Sequence, residues 1–324
     1  MKTTTLMAMG IAAVVGGAWL ASADTATQPA TAARPQVAAT DVYKMTIPEL
    51  MKAAEDGDRE AQFKLAVQYE NGSGVPLSDK LAVSWYRKAA EQGHGMSQVI
   101  LASKYASGRG VEQNWEEAIK WYRKAAEQGN SSAQVSLGEC YSLGQGVPKD
   151  AVEAVKWFRL AAAQGHLDGE LELGDAYRDG AGVPKDITEA IKWYTKADAH
   201  HNIIATVRLG DLYMEGNGVA KDEALALKWY QKAADKNYGE AQGKVGEAYL
   251  NGRGVQKDET EAVKWLQKAT ATNRDVLGER LLADCLHKGI GIARDDDKAA
   301  VLYRDAAGQG DEPAKQALRE MFPQ

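Results

Sequence analysis

Cysteine is nearly absent. The 324 residues hold two, Cys140 and Cys285, and 145 positions separate them. Chains that rely on disulfides carry cysteines in pairs at short spacing. A disulfide-stapled scaffold is therefore excluded, and both thiols read as small buried side chains. An excess of positive charge is missing too: 39 Lys and Arg face 45 Asp and Glu, for a net charge of −6. Nucleic acid as a partner would need a basic face, so this balance argues against it. Phenylalanine is scarce, with three residues against eight Trp and 13 Tyr. Only the first 21 residues contain a long apolar run, so no later segment is expected to cross a membrane.

That early run has a recognisable shape. Lys2 precedes an apolar stretch from Leu6 to Ala21, and Ala21-Ser22-Ala23 forms a small-x-small site before Asp24. Residues 1–23 read as a secretory signal cleaved after Ala23; the alternative is an uncleaved anchor, which would be the chain's one membrane contact. Residues 24–40, rich in Thr, Ala and Pro without any period, read as a disordered linker. Cleavage would leave 38 basic against 45 acidic side chains, or −7.

The remainder is periodic. Trp recurs at 85, 121, 157, 193, 229 and 265, and Tyr at 69, 105, 141, 177, 213 and 249, always 36 apart. The segment WYRKAAEQG occurs verbatim at 85–93 and 121–129. Gly-x-Gly pairs stand at 72/74, 108/110, 144/146, 180/182, 216/218, 252/254 and 289/291. A fixed period of this length marks a stack of supersecondary units.

Each unit reads as two helices. Ala82, Trp85, Tyr86, Ala89 and Ala90 fall on one face of a helix, as do Ala61, Leu65 and Tyr69 on the helix before it. Gly-x-Gly supplies left-handed backbone after the first helix. A cap residue then opens the second helix at Ser78, Asn114, Asp150, Asp186, Asp222, Asp258 and Asp295. Glu117, Glu153, Glu189 and Glu261 stand three residues later, as in a capping box. Residues 47–57 and those after 311 match partial units and read as end caps.

The pattern A-x-x-x-L-[GA]-x-x-Y-x-x-G-x-G-V, followed by [DN]-x-x-x-A-x-x-W-[YF]-x-x-A-A-x-x-G, resembles the Sel1-like repeat family of tetratricopeptide-like proteins. The resemblance implies an all-α, α/α superhelical solenoid over residues 41–324. It would hold seven helix-turn-helix repeats (59–94, 95–130, 131–166, 167–202, 203–238, 239–274 and 275–311) and a C-terminal cap at 312–324. Three departures stand out: a degenerate seventh unit, an altered junction AHHNIIAT at 199–206, and no cysteine pair in each repeat.

Catalytic and cofactor signatures are not recognised. No Gly-x-Gly extends to a dinucleotide or phosphate-loop pattern, and each follows a helix rather than a strand. There is no Ser-x-x-Lys; Ser84-Trp85-Tyr86-Arg87 is the nearest approach. The five His, at 94, 166, 200, 201 and 287, lack metal-ligand spacing and read as structural or solvated. No cofactor or metal is expected.

Repeat arrays bind through their surfaces. In tetratricopeptide-like stacks the first helices line the concave side. One position there reads Val67, Ser103, Glu139, Asp175, Asp211, Glu247 and Asp284 down the array. With Phe63, Val99, Arg178, Met214 and Leu250 it outlines a candidate groove, acidic along five units and apolar at its N-terminal end. A complementary ligand would be an extended protein segment, basic or rich in donors; a glycan is the other class. The competing reading is a solvated face blunted by same-helix neighbours: Arg178 for Asp175, Arg208 for Asp211, Lys244 for Glu247 and Arg280 for Asp284. The expected function is an exported, periplasmic or secreted adaptor of the cell envelope. The rivals are a β-lactamase-like or other cell-wall hydrolase and a polysaccharide-export scaffold.

Overall fold

The structure, a computed structural model, describes residues 42–273 and 275–322. The expected signal segment and linker lie outside the described residues. Sixteen helices and no strands are present among the described residues. The first helices of the repeats are α2 (Arg59–Asn71), α4 (Gly95–Ser107), α6 (Ser131–Leu143), α8 (Leu167–Asp179), α10 (Ile203–Glu215), α12 (Gly239–Asn251) and α14 (Val276–Lys288). The second helices are α3 (Asp79–Glu91), α5 (Trp115–Glu127), α7 (Ala151–Ala163), α9 (Ile187–Ala199), α11 (Glu223–Ala234), α13 (Glu259–Asn273) and α15 (Asp296–Gly308). Helices α1 (Ile47–Glu55) and α16 (Glu312–Met321) close the ends.

The turn within each repeat is fixed by hydrogen bonds at both of its ends. The first glycine is left-handed and donates its N–H to the helix carbonyl four residues back, as Gly180 does to Ala176. The cap residue donates its own N–H to the carbonyl of the recurring Tyr, as Asp186 does to Tyr177 at 2.9 Å. Its side chain then accepts from the third residue of the second helix, Glu189 N–H at 3.0 Å. The second glycine has another task. Gly182 has φ +75°, and a β-carbon there would collide with the carbonyl of Ala151, where the preceding repeat's second helix begins. The Gly-x-Gly pair thus ends one helix and seats the turn on its neighbour.

The capping boxes are only half formed. Asn114, Asp150, Asp186 and Asp258 do cap, but the glutamates at the third position turn outward to lysine. Lys120, Lys156, Lys192 and Lys264 donate to Glu117, Glu153, Glu189 and Glu261 at 2.7–3.1 Å. A lysine one turn along the helix offers a charged donor, and the cap's own N–H is already spent on the tyrosine carbonyl. Among the described residues only Thr46 and Glu49 form the reciprocal box.

The core of a repeat is a ring lying on a small residue. Tyr86, Tyr194 and Tyr303 are fully buried, as are Leu65, Leu101, Leu137, Leu173 and Leu209 on the first helices. The facing position carries Ala66, Ala102, Gly138, Gly174, Gly210, Gly246 and Ala283. A β-carbon at Gly174 would stand 2.5 Å from Tyr194 Cε1, so the ring occupies that space. Tryptophan is less buried than the shared helical face implies. Among the repeat tryptophans only Trp121 is buried; Trp85, Trp157, Trp193, Trp229 and Trp265 are half-buried at the edge of the second helices. A lysine three residues on covers most of these rings, with Lys88 Nζ 3.7 Å from the Trp85 centroid and Lys268 Nζ 3.9 Å from that of Trp265.

Repeats stack by packing each second helix on the next first helix, while first helices meet directly between repeats 3 and 4 and between repeats 6 and 7. First helices therefore line the inner side of the stack. Cys140 and Cys285 are buried and free, and burial pushes their thiols up to about 12 and about 11. At the N-terminal end Val42, Leu50 and Ala54 pack beneath Ala61 and Leu65.

Gly174→Ala should destabilise the protein by about 1–3 kcal/mol, because the added methyl overpacks the ring. Gly95→Ala, at a helical position with open space, should change stability by less than about 0.5 kcal/mol. Urea denaturation followed by tryptophan fluorescence reads both.

Candidate functional site: the inner face of the first helices

The carboxylate column lies on the inner face, and most of it has structural work. Tyr194 donates its hydroxyl to Asp175 at 2.5 Å, Tyr230 to Asp211 at 2.7 Å, and Tyr303 to Asp284 at 2.6 Å. In repeat 1 the column residue is Val67, and Tyr86 instead reaches Glu70 at 2.6 Å. Burial, with the adjacent carboxylate, pushes all four phenols well above their ordinary range and keeps them as donors. Repeats 3 and 6 differ because their second helices carry Phe158 and Leu266, which have no hydroxyl. There the column holds Glu139 and Glu247. Aspartate thus stands at 175, 211 and 284, where a tyrosine hydroxyl comes within reach, and glutamate stands where none does.

Basic side chains answer the carboxylates, largely across repeats. Arg178 pairs with Asp175 and Asp179, both at 2.7 Å. Lys244 reaches back to Asp211 at 2.9 Å rather than to Glu247 on its own helix. Arg208 lies between Asp175 at 3.7 Å and Asp211 at 3.9 Å. Lys104 joins Glu70 at 2.6 Å to Asp79 at 3.0 Å, and Arg280 lies 3.3 Å from Asp311 and 3.8 Å from Asp284. From repeat 4 to repeat 6 the expected acidic stripe is a chain of alternating charges.

Glu247 and Glu139 are the exceptions: both are half-buried, and neither has a hydrogen bond or ion pair among the described residues. At Glu139, burial reinforced by Asp168 pushes the carboxyl up to about 7. Glu172 on the adjoining α8 is likewise half-buried, and burial with Glu139, Asp175 and Asp168 pushes it to about 7. This stretch is the least compensated part of the inner face.

Toward repeat 1, Phe63, Val67 and Ile100 pack with Tyr86, and the Phe63 ring lies 4.6 Å from that of His94. Val99 packs on the core of repeat 2. Met214 and Leu250 belong mainly to the core, Met214 at 7% exposure and Leu250 packed against the last repeat. Ser103 sits beside the Tyr122 hydroxyl. Glu247 lines a small hollow of about 140 Å³ with Asp211, Lys244 and Arg253. A larger one of about 320 Å³ lies beside Arg178, Lys185, Arg208 and Glu215.

A second column went unread in the sequence. Gln62, Gln98, Gln134, Glu170, Thr206, Gln242 and Glu279 are all buried. Gln98 Nε2 donates to the Ala90 carbonyl at 3.1 Å and accepts at Oε1 from Gln128 at 2.8 Å; Gln134 does the same with Ala126 and Gln164. These amides close the exposed ends of the preceding second helices. The recurrence of Gln at 62, 98 and 134 and again at 92, 128 and 164 carried the signal. At repeats 4 and 5 the ladder turns ionic. Glu170, with no exposed surface, accepts from His200 at 2.8 Å and has Lys196 at 3.0 Å. Asp198 takes Thr206 at 2.7 Å and Lys232 at 2.6 Å. The altered junction at 199–206 is the site of this change, and His201 there adopts φ 67°, as Asn237 does at φ 60° one repeat on, where repeats 1, 2, 3 and 7 use glycine.

Tyr194→Phe should cost about 1.5–3 kcal/mol, since it removes a buried hydrogen bond to a charged acceptor. The loss should shrink in an Asp175→Asn background, as read by a double-mutant cycle. Gln134→Leu should cost about 0.5–1.5 kcal/mol by removing its bonds to the Ala126 carbonyl and to Gln164, which keep the Gly129 N–H and the Leu160 carbonyl as partners.

The family model for the Sel1 repeat matches residues 59–94, 95–130, 131–166, 167–197, 203–238, 239–271 and 276–311. Among solved structures, a protective antigen present in uropathogenic Escherichia coli strains, with an SLR fold, is 34% identical over 86% of this chain at a TM-score of 0.74. This chain spans 59% of the length of that protein. A Sel1 repeat protein from Oxalobacter formigenes is 31% identical, covering 85% of this chain and 79% of its own, with a TM-score of 0.72. Yeast Tom70, at 18% identity, covers 85% of this chain and 58% of its own, and shares the fold alone at a TM-score of 0.52. No curated protein matches the chain.

Proposed function

The chain belongs to the Sel1 repeat family, and from that premise we propose that it is an exported adaptor holding an extended protein segment along its inner face. Sel1 repeats serve in general as protein-interaction scaffolds rather than enzymes. The observation that carries the reading is the division of labour among the residues. The recurring Trp, Tyr, Gly and cap residues are consumed by packing and turns. The inner face changes character from unit to unit: apolar at Phe63 and Val67, uncompensated at Glu139 and Glu172, and alternately charged from Arg178 to Lys244.

A partner fitting this face would place apolar side chains toward repeat 1 and basic or donor groups toward repeats 3 and 4. It would continue with mixed charge along repeats 4 to 6. The apolar N-terminal run and the Ala21-Ser22-Ala23 site favour export to the periplasm or beyond, with cleavage after Ala23. In that setting the partner belongs to the cell envelope or lies outside the cell.

Crosslinking and pull-down from the envelope, comparing the natural protein with the charge reversals Glu139→Lys and Glu247→Lys, tests the groove. Asp175 and Asp211 are left alone because they hold tyrosine hydroxyls. Partner yield should fall at least about tenfold, the effect of some 1.4 kcal/mol. Identical partners at identical yield would remove the groove from the proposal. Mass measurement of the exported protein should find Asp24 at its N-terminus; an intact Met1 in the membrane fraction would replace the cleaved signal with an anchor.

A further inference from the structure

Repeats 3 and 4 meet directly on the inner face, through α6 and α8. We propose that this contact is a proton-operated joint, closed while the Glu139 and Glu172 carboxyls retain protons and loosened when both ionise. It concerns how the solenoid holds its shape, and does not depend on what occupies the groove.

The surroundings of the two groups carry the inference. Helix α8 is the most acidic first helix, with Asp168, Glu170, Glu172, Asp175 and Asp179 against a single Arg178. Arg178 is committed to Asp175 and Asp179, and Glu170 to His200 and Lys196. Around Glu139 and Glu172 the facing groups are therefore mostly acidic or neutral. Asp168 and Asp175 come from α8, the Cys140 thiol from α6 itself, and the Tyr122 hydroxyl from α5. From α7, Phe158 packs on Gly138, where repeats 4 and 5 bring Tyr194 and Tyr230 with a hydroxyl. From α9, Tyr194 is already spent on Asp175. The cation within influence of Glu172 is Arg208 on α10, held between Asp175 and Asp211. Two half-buried carboxyls on touching helices thus lack the donors that every tyrosine-bearing carboxylate of the column has.

The sign follows from linkage. Both carboxyls are raised to about 7, above the ordinary glutamate range. Between that range and pH 7 the folded protein holds more protons than the unfolded chain, so stability decreases as pH rises. The stabilisation from the protonated pair is full below the ordinary range and lost as pH passes through about 7. Above that, two charges face each other and Asp168 and Asp175 across one joint, and the cheapest relief is separation of α6 from α8.

Backbone hydrogen exchange on the full mature chain, corrected for the intrinsic pH dependence of the chemistry, tests the joint. Protection across 131–143 and 167–179 should fall roughly tenfold between pH 6 and pH 8, while α12 and α14 stay level. The double variant Glu139→Gln with Glu172→Gln mimics the protonated pair and should remain protected at both pH values. Phe158→Tyr supplies the missing hydroxyl donor; by holding the Glu139 carboxylate, as the column's other tyrosines hold theirs, it should shrink the loss of protection between pH 6 and pH 8. Unchanged protection in the natural protein, or a pH step that survives the double Gln variant, overturns the joint. Should the double variant fail to fold, a Phe158→Tyr step of unaltered size overturns it, as does a carboxyl NMR titration that places both glutamates below pH 5.

Discussion

Everything in this solenoid follows from how closely the two helices of a repeat approach. The ring of the second helix lies directly on an alanine or glycine of the first, and at Gly174 no β-carbon fits between them. At that distance a tyrosine hydroxyl extends past the helix it packs on and emerges beside the inner face. It then needs an acceptor there, because a buried hydroxyl left unpaired is costly. The carboxylate column is the answer to that need. An apparently functional stripe is thus partly a consequence of core packing, transmitted through the thickness of a helix.

The same logic explains what was legible in the sequence. Period, turn glycines and cap residues are local features, each fixed by hydrogen bonds within a few residues, and they read directly as two helices per unit. The tyrosine–aspartate bond joins residues 19 apart on different helices, as in Asp175 and Tyr194. It appears in the sequence only as a correlation between two columns: aspartate at 175, 211 and 284 opposite tyrosine, and glutamate at 139 and 247 opposite Phe158 and Leu266. The same-helix charge pairs expected for the groove held for Arg178 with Asp175. Lys244 crosses to Asp211 instead, since stacking brings the neighbouring repeat nearer than its own next turn.

The glutamine ladder was equally periodic and equally unread, because glutamine at a helical position looks like surface. Its amide both donates and accepts, so one side chain closes the carbonyl at the end of the preceding second helix and receives the amide at the end of its own unit's second helix. No apolar residue could do both. Where the ladder becomes ionic, at Glu170 and Asp198, the array exchanges a neutral, repeated joint for one specific to repeats 4 and 5. The altered sequence at 199–206 is therefore a change of bonding at one interface rather than a decayed repeat.

These assignments narrow where recognition can act. A carboxylate that already holds a tyrosine hydroxyl and a basic side chain has little capacity left for a partner, and drawing it away would expose a buried phenol. Asp175 and Asp211 are in that position. Specificity then falls to inner-face groups whose removal would leave the helix pairs intact: Glu139, Glu172 and Glu247, together with the Phe63 and Val67 surface. These lie in repeats 1, 3, 4 and 6, spaced along the stack rather than gathered in one pocket. An extended ligand can satisfy such separated contacts at once, whereas a compact one would reach only one of them, and the geometry for that reason favours a strand or unfolded segment over a small molecule.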